Sequence, residues 1–174
     1  MPLNLKQARQ EIQELQLPDF FVELFKGERT LRELGLNAPQ QIFNLKNLAR
    51  PYRVIPLFEY RTHTYCCEQH PEGPRFIAFD IQQPDDTTVF GKSFQCVLAM
   101  LFIDFWQDER NDIVLPMLAE ALEFDRFDEL LQEIGPANKL ATAQWLDWQK
   151  RFCKSCEEGE IFLWQENSKL DAVA

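Results

Sequence analysis

The sequence is short of positive charge: 18 lysines and arginines stand against 28 aspartates and glutamates, for a net charge of −10 and a pI near 4.7. No basic stripe relieves this deficit, so nucleic-acid phosphate is repelled and sequence-independent binding to it is not expected. Long hydrophobic runs are also missing. The longest, Cys96 to Ile103, is cut off by Asp104, well short of the ~20 apolar residues needed to cross a bilayer. The amino-terminal stretch alternates polar residues with Leu5, Ala8, Ile12 and Leu15 and has no apolar block before a small-residue cleavage site, so no secretory signal is expected. There is no glycine-rich phosphate loop. Gly91-Lys92-Ser93 resembles the tail of one, but Asp86 stands where the upstream glycine belongs. A serine-elbow motif is absent as well. The five cysteines are an odd number and include the adjacent Cys66 and Cys67, which close no useful loop. They read as reduced thiols in a cytoplasm-like compartment.

What remains is a chain of 174 residues, 45% hydrophobic and 13% aromatic. That is enough for one domain, or one domain with an appendage, burying roughly two thirds of its unfolded surface without metal or disulfide staples. Leu5, Ala8, Ile12 and Leu15 give the helical spacing of an amphipathic helix over 4–15. Pro18 and Asp19 suit the start of a second helix over 18–25, and Ile42, Leu45 and Leu48 suggest a short one over 39–49. The character changes at Pro51. Strands are expected at 52–60, 62–68, 75–81 and 87–90, joined by turns too short for parallel crossovers, which makes an antiparallel meander. Pro56 lacks an amide donor and places its strand at an edge or demands a bulge. Phe94, Val97, Leu98, Leu101, Phe102, Phe105 and Trp106 then mark a helix capped by Ser93. Further helices follow at about 111–123, 126–134 and 139–156, and Ile161 to Trp164 form a terminal apolar patch. The fold class is α+β: helices, an antiparallel sheet of about four strands, and more helices, with residues 1–110 as the α+β domain and 111–174 as a helical extension packed on it.

Residues 1–87 carry a net −2 and residues 88–174 a net −8. Ten carboxylates crowd into 104–133 against only Arg110 and Arg126. Such a run is either a solvated helix face or a docking surface whose self-repulsion a basic partner would relieve. The candidate partner-binding residues are Asp108, Glu109, Asp112, Asp125, Asp128 and Glu129. The competing chemistry is thiol and imidazole. His63, Cys66, Cys67 and His70 lie close together, and Cys153 and Cys156 form a single CxxC. On a strand, however, His63, Tyr65 and Cys67 share one face while Cys66, Glu68 and His70 share the other, and neither set supplies four zinc ligands. The Trp and Phe stripes at 102–106 and 145–152 read as core.

The order of these signals resembles the SUKH superfamily, small α+β domains that include bacterial toxin-immunity proteins and the yeast cell-wall assembly regulator. The residues that carry the resemblance lie within 15–107. They are Leu17-Pro18 opening an aromatic helix, the Ile55-Pro56-Leu57-Phe58, Tyr65-Cys66-Cys67 and Phe76-Ile77-Ala78-Phe79-Asp80 strands, and Ser93-Phe94 with Leu98 on the helix that follows. The chain has Thr62-His63-Thr64 where many members carry Gly-Asp. The resemblance implies a non-enzymatic module that seizes another protein, with no catalytic residues, metal or cofactor. An immunity protein neutralising a cationic, nuclease-like toxin is the specific expectation, with no nucleic-acid or membrane partner. The alternatives are a thiol- or zinc-dependent enzyme built on His63, Cys66 and Cys67, and a structural adaptor or assembly subunit associating through its Trp-rich last helix.

Overall fold

The computed structural model describes residues 5–26, 35–37, 52–80, 83, 87–108 and 114–158. Two helices, α1 (Leu5–Glu14) and α2 (Phe20–Lys26), precede five strands: β1 (Leu36–Asn37), β2 (Arg53–Tyr60), β3 (His63–His70), β4 (Gly73–Asp80) and β5 (Thr87–Gly91). Four helices follow: α3 (Phe94–Gln107), α4 (Val114–Ala121), α5 (Phe127–Ala137) and α6 (Thr142–Glu158). The strands form one sheet in the order β1-β2-β3-β4-β5, every neighbouring pair antiparallel. The fold is therefore α+β, with a meander one short strand longer than the sequence suggests. The expected helix over 39–49 and the patch at 161–164 lie outside the described residues.

Pro56 shows how the sheet is tuned. Pro56 pairs with Cys66, but Phe58 pairs with Tyr65, leaving Leu57 as an extra residue in β2. The bulge resets the side-chain alternation, so Ile55 and Phe58 lie on the same face although they are three residues apart. That face meets the helices. Phe58 stacks on Tyr65 at 4.5 Å and meets Phe21 of α2 at 6.0 Å. On β3, Tyr65 and Cys67 belong to this main core, whereas Cys66 joins Ile77, Phe79 and Val54 in a small second cluster on the opposite face.

Helix α3 lies across the sheet, with Phe94 against Phe76 of β4 at one end and Phe105 against Tyr60 of β2 at the other. Ser93 caps it, its hydroxyl accepting the Gln95 amide at 3.2 Å. Cys96, Val97, Leu98, Ala99, Leu101, Phe102, Ile103 and Phe105 are all buried, so α3 is apolar nearly all round. The cause is a second layer. Phe124 and Phe127 pack on Phe102, and α6 brings the ladder Trp145, Trp148 and Phe152, of which Trp148 and Phe152 are fully buried. One core cluster runs from Ile12 to Cys156. Among the described residues no helix is long and apolar enough to cross a membrane.

Two helix ends are unusual. α1 closes with Gln16 N–H on the Gln13 carbonyl and Leu17 N–H on Ile12, and the turn after α4 repeats the pattern through Glu123 on Glu120 and Phe124 on Ala119. These are Schellman caps, and they put Gln16 (φ 53°) and Glu123 (φ 54°) in the left-handed region where glycine is usual.

Candidate functional site

The six acidic residues singled out in the sequence have different roles. Asp108 caps the carboxyl end of α3 and is engaged: the Tyr60 hydroxyl donates to it at 3.1 Å, and Arg61 forms an ion pair with it. Glu129 pairs with Arg126, whose Nη1 also donates to the Ser155 carbonyl at 3.2 Å, joining the start of α5 to α6. Asp125 and Asp128 are exposed, and their carboxylates have no ion-pair partner among the described residues. Glu109 and Asp112 lie outside the described residues.

Asp125 stands on the rim of a cleft of about 360 Å³ at the amino end of α3. The cleft is lined by the α1–α2 corner (Leu15 to Pro18), by Pro74 and Phe76 of β4, by Lys92 to Gln95, and by Leu122, Glu123 and Asp125. Gln95 fixes its acidic wall. The side-chain nitrogen of Gln95 donates to the Glu123 carbonyl at 2.8 Å, and its oxygen accepts the Asp125 amide at 3.2 Å. The two left-handed cap residues, Gln16 and Glu123, line this cleft. The acidic composition pointed to Glu123 and Asp125 in general terms, but nothing in the sequence marked Gln16 or Gln95.

A second polar cluster gathers at the other end of α3. Asp104 lies one turn before Asp108 and is half-buried. Burial raises its pKa and Asp108 adds to the rise, while Arg61 and His63 oppose it. Burial also pushes the Tyr65 phenol far up, and Asp104 reinforces that shift. Two carboxylates at a helix carboxyl terminus oppose its dipole. Arg61, carried at φ 55° in the β2–β3 turn, supplies the offsetting charge. The Asp104/Asp108 spacing of four was legible in the sequence, but the approach of Arg61 from 47 residues away was not.

The thiol candidates are not assembled into a centre. Cys66 and Cys67 point to opposite faces of β3 and are 1% and 0% exposed, and His63 shares a face with Cys67 alone. Cys153 and Cys156 face α3, where the Cys96 thiol donates to the Cys153 carbonyl at 2.7 Å. Burial raises the Cys96 pKa to about 12, that of Cys156 to about 11, and that of Cys153 well above the ordinary value. Burial therefore favours the protonated thiol at all three positions. Among the described residues no group of three or more His, Cys, Asp or Glu side chains is placed to hold a metal ion. Comparison with family models, with curated proteins and with solved structures gives no match.

Proposed function

We propose that the chain is a non-enzymatic protein-binding module of SUKH type that docks a basic protein through its acidic α4–α5 surface, with an immunity protein against a cationic toxin as the specific case. The observation that carries this reading is the pair of exposed carboxylates without an ion-pair partner among the described residues, Asp125 and Asp128, the first of which lines an open cleft. Free surface charge speeds encounter with an oppositely charged partner and is not committed to holding the fold. Nearby apolar side chains offer contact area. Met117 on α4 is 68% exposed and Leu131 on α5, one turn after Asp128, is 43% exposed. The burial of Trp148 and Phe152 counts against self-association through the tryptophans of α6.

The test is retention of proteins from a native lysate on the immobilised chain at low and high ionic strength. A basic protein held at low salt, released at high salt, and lost when Asp125 and Asp128 are both changed to Lys is the expected result. A partner that binds the charge-reversed variant as well as the parent, at any salt, would refute the electrostatic docking.

A further inference from the structure

We propose that the cleft at the amino end of α3 is the anchor pocket of the docking surface and receives one arginine side chain of the partner. This rests on the reading of the chain as a binder of a basic protein and adds the chemistry of the contact. At about 360 Å³ the cleft lies within the size range of sites that enclose a ligand. Its apolar lining includes the partly exposed Leu15 and Phe94 and the exposed Pro74, which suit an aliphatic stem. Its acidic wall carries Glu123 and Asp125.

A helix amino terminus beside a cleft ordinarily suggests an anion, but three of the main-chain amides there already have acceptors. The Gln95 amide goes to the Ser93 hydroxyl, the Cys96 amide to the Ser93 carbonyl, and the Lys92 amide to the Glu157 carboxylate at 2.7 Å. Among the described residues that line the cleft, Lys92 is the one cationic side chain. Glu123 and Asp125 on the wall, with Glu157 on the Lys92 main chain, leave the neighbourhood negative. The wall is also fixed before any guest arrives. Gln95 spends both ends of its amide on the backbone of Glu123 and Asp125, so the carboxylates sit on a corner that need not be ordered on binding. Gln16 and Glu123 both hold left-handed backbone, which glycine adopts more readily, and both residues border this one cleft.

The experiment is a titration of the full, isotope-labelled chain with N-acetyl-arginine methylamide at low salt, read by amide chemical shifts. The uncharged isostere N-acetyl-citrulline methylamide and the Glu123→Gln/Asp125→Asn double variant serve as comparisons. The expected result is saturable shifts at Gln16, Gln95, Glu123 and Asp125, with affinity at least tenfold weaker for citrulline and for the double variant. Equal binding of citrulline overturns the charge recognition, and because that comparison uses the parent chain it does not depend on the variant folding. Shifts that never saturate, or that spread evenly to Asp128 and Glu120, overturn the pocket. The docking reading fails separately, if no basic protein is retained on the immobilised chain.

Discussion

Asp104 is held partly out of water at the negative end of α3, and its raised pKa has a consequence for stability. A carboxyl whose folded pKa lies above its unfolded value favours the fold while protonated, and that contribution is lost as pH rises through the folded pKa. At neutral pH the ionised group therefore works against folding, less the attraction of Arg61 and His63. Asp104→Asn is expected to raise the midpoint of chemical denaturation at pH 7, with the advantage shrinking as pH falls through the ordinary carboxylate range near 4. An advantage independent of pH would mean that the gain comes from packing. At this scale the sequence was only partly readable. The helix ends at Glu14 and Ala121 carry no glycine, so a search for the usual stop signal passes over Gln16 and Glu123. Apolar periodicity through Leu5, Ala8, Ile12 and Leu15 still put the end of the first helix near 15.

Between elements, the joint of β5 with α6 depends on one glycine. Gly91 has φ +123°, and a Cβ built there would lie 2.6 Å from Glu157 Oε2, whose carboxylate also accepts the Lys92 amide. Gly91→Ala is expected to destabilise the fold by about 1–3 kcal/mol, the range of a residue forced into a sparsely populated backbone region. Adding Glu157→Ala should recover the steric part and leave the backbone part. Denaturation midpoints of the two single variants and the double variant check this, and strictly additive losses would disprove the contact. The β2 bulge was legible because a proline without a donor restricts a strand to few solutions. β1 was not, since two residues carry no alternation, and it exists only through Leu36 opposite Tyr60 and Asn37 opposite Glu59. The cap at Ser93 was legible from its side chain alone.

For the molecule as a whole, α3 joins the sheet to the carboxyl-terminal helices, and Phe102 sits at the junction, touching Phe105, Phe124 and Phe127. Phe102→Ala is expected to cost about 3–5 kcal/mol, a large share of a typical domain's stability. Unfolding followed by tryptophan fluorescence, to which Trp106 of α3, Trp145 and Trp148 of α6, and Trp164 contribute, and by far-ultraviolet circular dichroism, which reads the whole backbone, should coincide in the parent and in the variant. Two separated transitions would show that 111–174 folds on a core of its own. The order of helices and strands was legible from periodicity, as was the presence of an apolar stripe on α3. The second buried face was not anticipated, although the unbroken run from Cys96 to Ile103 is what a helix covered on both sides requires. The acidic surface was visible as composition. Which carboxylates stay free depends on where Arg61 and Arg126 arrive, and that follows from the tertiary arrangement.

The sulfur atoms between α3 and α6 have a further consequence. Cys96 and Cys156 are buried whereas Cys153 is partly exposed, so an alkylating reagent reaches the first two mainly when the two helices part. The speed at which those two positions become labelled then serves as a built-in clock for the breathing of the molecule's centre.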